Sequence, residues 1–133
     1  MNLNPYLSFK GECESAFKFY EQTLGGKITG IMKWGGSPGE NNVPENWRDK
    51  VMHAHLAIGD QALMGADPPL DYYKEPAGFS IALNLKDITE AERIFNALSP
   101  GGRITMPLEK TFWASRFGML TDRFGIPWMI NCE

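Results

Sequence analysis

The strongest constraint on this chain is that it is written twice. Pro5-Tyr6-Leu7-Ser8-Phe9, a helical stretch with Phe19, and Leu24-Gly25-Gly26-Lys27-Ile28 return later. The second copies are Phe79-Ser80-Ile81-Ala82-Leu83, a helical stretch with Phe95, and Pro100-Gly101-Gly102-Arg103-Ile104. The offsets agree, since 83 − 7, 95 − 19 and 102 − 26 are all 76. A long unit that occurs only twice implies a pseudo-twofold domain, not a solenoid. With 133 residues the chain has room for a single domain. Repeat one is expected over about residues 1–68 and repeat two over about 77–133, with a Pro- and Tyr-bearing connection at 67–77.

Each repeat reads as strand, helix and three further strands. In the first, a short strand at 3–9 contains Pro5, which cannot donate a ladder hydrogen bond, so an edge position or a start near Pro5 is expected. Cys13, Ala16, Phe17, Tyr20 and Leu24 form one helical stripe with Phe19 on its margin, and Gly25-Gly26 ends the helix, since glycine accepts the left-handed conformation. A strand at 27–34 follows, then an irregular loop at 35–49 flanked by Trp34 and Trp47. Such a long loop points to function. Strands at 51–58 and 61–66 meet at Gly59-Asp60.

The second repeat gives a strand at 79–85 and a helix started by Asp87, with Glu90 placed to complete a capping box. Ile88, Ala91, Phe95 and Leu98 make its buried stripe. A strand at 103–106, a loop at 107–114 carrying Trp113, and strands at 116–121 and 126–132 complete it.

Composition excludes several classes. Hydrophobic residues make up 43% and charged residues 22%, with a net charge of −3 and no cluster of Lys and Arg. Nucleic-acid partners and polybasic membrane contacts are therefore not expected. No apolar run reaches the roughly 20 residues that span a bilayer. Cys13 and Cys132 are not a Cys-x-x-Cys pair and no secretion signal is read, so reduced thiols and a cytoplasmic location are expected.

The residues able to carry chemistry are few. His53 and His55 are the only histidines, and residues two apart on a strand share a face. They could act as general base or hydrogen-bond pair toward a carbonyl or phenol. As metal ligands they would need a third partner such as Asp67 or Glu109. The bland alternative is two half-exposed strand residues with local polar partners. Trp34 and Trp113 are candidate aromatic walls for a ligand, or else core and loop anchors. Arg116 and Arg123 could hold an anion. No Ser-His-Asp ordering or phosphate-binding loop supports hydrolase or nucleotide chemistry.

Several words in order carry a family resemblance. They are Pro5-Tyr6-Leu7-Ser8-Phe9, Ala16-Phe17-Lys18-Phe19-Tyr20, Val51-Met52-His53-Ala54, Leu63-Met64-Gly65-Ala66-Asp67 and Phe117-Gly118-Met119-Leu120-Thr121-Asp122-Arg123-Phe124-Gly125, with Trp128-Met129-Ile130 after the last. With them the chain resembles the glyoxalase/bleomycin-resistance (vicinal oxygen chelate) superfamily, in its PhnB-like branch.

The resemblance implies an α+β fold of two βαβββ repeats, a curved eight-stranded sheet with helices outside, commonly as a homodimer. The family's metal enzymes carry ligands on the first and last strand of each repeat, and those four positions fall on Pro5, Gly65, Ser80 and Met129. None is a His or carboxylate, so no metal and no cofactor is expected. The leading expectation is a metal-independent small-molecule binder in an aromatic-lined cleft. An enzyme using His53 and His55 on a carbonyl compound, and a structural protein with a filled cleft, are the alternatives.

Overall fold

The computed structural model describes residues 1–133 and contains two compact units, residues 1–75 and 76–133. The first unit runs β1 (Tyr6–Ser8), α1 (Cys13–Leu24), β2 (Lys27–Lys33), β3 (Val51–Ile58) and β4 (Gln61–Ala66). The second runs β5 (Ile81–Leu85), α2 (Ile88–Leu98), β6 (Arg103–Glu109), β7 (Arg116–Thr121) and β8 (Pro127–Cys132). The eight strands divide into two four-stranded sheets of matching topology, ordered β1-β4-β3-β2 and β5-β8-β7-β6. In both, the first strand pairs parallel with the last and the other pairings are antiparallel. The fold is α+β with two repeats.

The first strand of the chain is an edge and begins just after Pro5. Pro5 still contributes its carbonyl, which accepts the Met64 N–H at 3.1 Å. Along α1, Cys13, Ala16, Phe17 and Tyr20 are buried as the stripe demands, and Thr23 takes the last buried place instead of Leu24. Gly25 adopts φ 76° and its N–H closes on the Glu21 carbonyl. Along β3, Ala54 and Leu56 are fully buried on the side that packs against α1. In the second unit Trp128 and Ile130 of β8 and Leu120 of β7 are buried on the side facing α2, which buries Ala91, Ile94, Phe95 and Leu98.

The second glycine of each Gly-Gly word has a further job. A Cβ on Gly26 would lie 2.5 Å from the Ala57 carbonyl oxygen, and one on Gly102 would overlap the Thr121 carbonyl oxygen. Ala57 and Thr121 are the register neighbours of Lys27 and Arg103, so the two contacts are equivalent. Each repeat leaves its helix against the backbone of a neighbouring strand, where a side chain has no room.

Four further expectations are corrected. Asp87 caps α2 through the Thr89 N–H at 2.9 Å, but Glu90 does not complete a capping box. Its carboxylate is taken instead by Arg93 one turn on. Ile88 is half-exposed and Ile94 replaces it in the buried stripe. β5 begins at Ile81, after Phe79 and Ser80. β6 continues to Glu109 instead of stopping at Met106, so the loop is 110–115. Pro107 fits within it because β6 is the outer strand and its register shifts on either side of Met106.

Candidate functional site

The two histidines lie on the face of the first sheet turned away from α1. Alternation along β3 puts Ala54 and Leu56 inward and leaves His53 and His55 half-buried on the other side. Met32 of β2 stands beside His53, and Met64 of β4 beside His55. Tyr6 of β1 is the next residue across from Met64. Each imidazole is anchored at Nδ1. The Tyr6 hydroxyl lies 3.2 Å from Nδ1 of His53, with the two rings 5.8 Å apart. The Thr29 hydroxyl lies 2.6 Å from Nδ1 of His55 and also donates to the His55 carbonyl at 3.4 Å. Thr29 reaches this position because the β2 register shifts between Ile28 and Gly30. Burial, and after it the nearby Cys13, push the Tyr6 phenol above its ordinary pKa. Tyr6 and Met32 are each 51% exposed, so this face combines apolar surface with two fixed imidazoles.

Behind the sheet sits a polar knot that no sequence word announced. Asp67 is 1% exposed. Its Oδ1 accepts the N–H groups of Gly11 and Cys13 at 2.9 and 3.0 Å, and its Oδ2 accepts that of Val51 at 3.0 Å. Glu12, the residue before α1, makes no side-chain cap, so Asp67 caps this helix from 54 residues away. Its carbonyl accepts the indole N–H of Trp34 at 2.8 Å and of Trp47 at 3.4 Å. Both ends of the 35–49 loop are thereby tied to one residue. Burial pushes the Asp67 carboxyl up, against the three N–H donors and Lys50, which pull it down. Burial, then the charges of Asp67 and Glu14, push the Cys13 thiol far up.

Trp34 is thus half-buried with its N–H committed to the Asp67 backbone. Trp113 lies in the second unit, 51% exposed, edge-on to Phe112 at 4.7 Å and to Phe117 at 5.3 Å. It lines an open pocket of about 360 Å³ with Lys110, Thr111, Phe112 and Glu133. Arg116 shares its strand parity with the buried Gly118 and Leu120 and pairs with Glu92 of α2 at 3.5 Å. Its guanidinium is therefore turned to the helix. Arg123 lies over the Phe124 ring at 4.6 Å. The structure gathers His53 and His55 on one surface with Tyr6, Thr29, Met32 and Met64. Sequence reasoning missed Tyr6 and Thr29, which strand register alone brings there.

A hard divalent ion needs oxygen-rich or charged donors. A Cβ on Gly65 would strike Phe17 of α1, so this position faces the helix and not the histidines. Met64, one residue before it, does share their face. On the equivalent face of the second sheet stand Ala82, Asn84, Met129 and Asn131, with Asn131 donating to Asn84 at 3.3 Å. Thioethers are soft donors and the amides carry no charge, so these residues are weak ligands for a hard divalent ion, and no group of three His, Cys, Asp or Glu is placed to hold one. Neither helix is long and apolar enough to cross a membrane.

This paired βαβββ fold defines a known class of proteins. The chain belongs to the glyoxalase/bleomycin resistance protein/dioxygenase superfamily, whose family model matches residues 2–130. It is 34% identical over 139 residues to protein YjdN of Escherichia coli strain K12, covering 98% of this chain and 95% of that one. It is 49% identical to protein PA1353 of Pseudomonas aeruginosa, with a TM-score of 0.92 over 100% of this chain and 98% of that structure. A PhnB protein from Bacillus cereus shares the fold at 23% identity and a TM-score of 0.80, with each chain fully covered.

Proposed function

We propose that this protein binds a small, flat, neutral molecule on the His53/His55 face of its first sheet, without a divalent ion as bridge. The observation that carries the reading is that both imidazoles project from one strand face and are each held at Nδ1 by a hydroxyl. A ring fixed in this way keeps Nε2 for a partner and gives up little rotamer entropy on binding. Tyr6, Met32 and Met64 supply apolar contact around it, the usual balance of a ligand surface. The donor set at the family's metal positions supports the metal-free part.

The test is a thermal-shift screen with phenolic ketones and quinones, run beside Mg²⁺, Mn²⁺, Ni²⁺ and Zn²⁺. A ligand at 100 times its Kd adds about 2.7 kcal/mol of stability, a shift of several degrees. Shifts by organic compounds that vanish in the His53→Ala/His55→Ala double variant are expected. Shifts from the divalent ions alone, or organic hits indifferent to the double substitution, overturn the reading.

A further inference from the structure

We propose that the His53/His55 face holds one soft monovalent metal ion, Cu⁺, with the two imidazoles as its principal ligands and the thioethers of Met32 and Met64 beside them. The proposal goes beyond the small-molecule reading and does not rest on it, because it needs only these four side chains and the hydroxyls behind them. Strand register brings the four together. His53 and His55 are two apart on β3, about 6.8 Å along the strand. Met32 of β2 stands directly opposite His53, and Met64 of β4 directly opposite His55. Directly opposed residues have Cβ atoms about 5 Å apart, a gap that an imidazole and a thioether are long enough to close around an ion.

The kinds of donor choose the metal. Thioether sulfur is soft and imidazole nitrogen borderline, a set that favours Cu⁺ over Mg²⁺, Ca²⁺ or Mn²⁺. A Zn²⁺ ion on two imidazoles asks for further thiolate, imidazole or carboxylate ligands, and no third His, Cys, Asp or Glu is placed to complete such a site. The second sheet lacks the combination. Met106, Met119 and Met129 stand in one cross-strand row there, with no histidine among them.

The hydroxyls behind the rings suit the same use. An imidazole bound to a metal at Nε2 carries its hydrogen on Nδ1, and in metal sites an oxygen usually takes that hydrogen and fixes the ring. Tyr6 and Thr29 hold hydroxyl oxygens 3.2 and 2.6 Å from the two Nδ1 atoms. A hydroxyl can accept as well as donate, so both rings can bind through Nε2 without moving their anchors. Tyr6 and Thr29 are therefore positioning residues for the two nitrogen ligands.

Cu⁺ is titrated anaerobically into the whole protein against a chromogenic copper(I) chelator. Ag⁺, a soft ion of the same charge that does not change oxidation state, is added in parallel. Only two histidines are present, so their ring-proton signals report the site directly. One ion per chain is expected, with both ring signals moving together up to one equivalent of Ag⁺. His53→Ala and His55→Ala should each weaken Cu⁺ binding by at least about tenfold, and Thr29→Val by about tenfold with recovery in Thr29→Ser. The volume-conserving pair Met32→Leu/Met64→Leu should weaken it severalfold, whereas Met119→Leu/Met129→Leu should leave it unchanged. Ring signals of the wild type that ignore Ag⁺, no capture of Cu⁺ from the chelator, or Mn²⁺ held as tightly as Cu⁺ overturns the proposal. So does Cu⁺ binding that survives the His53→Ala/His55→Ala double substitution, which would put the ion on the thiols of Cys13 and Cys132 or on the thioethers of the second sheet.

Discussion

Replacing Asp67 is expected to unfasten the first unit more than any other single surface or core change of its size. Three backbone N–H groups, from Gly11, Cys13 and Val51, end on this carboxylate at 2.9–3.0 Å. In Asp67→Asn one oxygen remains for Gly11 and Cys13, but the amide NH₂ must face the Val51 N–H. That change loses one charge-assisted bond, worth about 1.5–3 kcal/mol, and leaves two donors opposed. Removing a charge whose burial is unfavourable returns part of this, so a net loss of about 2 kcal/mol follows.

In Asp67→Ala all three donors are orphaned and α1 loses its cap. A loss of about 4 kcal/mol is expected, close to the upper range for single substitutions. For a chain of this size that is a fall of roughly 10–15 °C in Tm. Urea unfolding at pH 7, followed by tryptophan fluorescence, reads it. Trp34 and Trp47 both hydrogen-bond to the Asp67 carbonyl and so report on this unit. A loss below about 1 kcal/mol for Asp67→Ala, or an Asn variant as stable as wild type, refutes the argument that this carboxylate holds the unit together.

Three further outcomes follow from the same structure. Asp67 has a folded pKa above its unfolded one, so its contribution is greatest below about pH 4 and falls as pH rises through the folded value. The stability gap between wild type and Asp67→Asn should therefore narrow from pH 4 toward neutrality, as chemical denaturation at several pH values would record. Cys13 is fully buried and its thiol is pushed up by burial and two carboxylates, so a disulfide reagent at pH 8 should label it only after denaturation. Gly26→Ala and Gly102→Ala should each cost about 1–3 kcal/mol, measured by melting, because the new methyl meets backbone and not a movable side chain.

Much of the architecture was legible because it is written in local periodicity. The α1 stripe, the Gly25 stop, the β3–β4 hairpin and the edge position of β1 all follow from side-chain spacing or from one residue's backbone limits. The Pro107 strand was not legible. Proline argues against a strand wherever its neighbours need a donor, and only topology shows that β6 has a side where none is needed. The helix caps show the same division. Asp87 caps α2 from the adjacent position and was read directly, whereas α1 is capped by Asp67, which no local rule connects to Cys13. At the site, alternation placed His53 and His55 together, but Tyr6 and Thr29 arrive through the pairing of β1 with β4 and the irregular register of β2. The side Arg116 takes needed the β7 register and the position of Glu92.

The outer strand β6 bears on how the protein behaves when concentrated. A straight hydrogen-bonding border invites another chain to add to it. Here the strand carries Pro107, which has no N–H to give, and its pairing with β7 is irregular around Met106. Although Ile104 and Met106 are half-exposed on it, a proline within the strand makes β6 a poor template for an added chain.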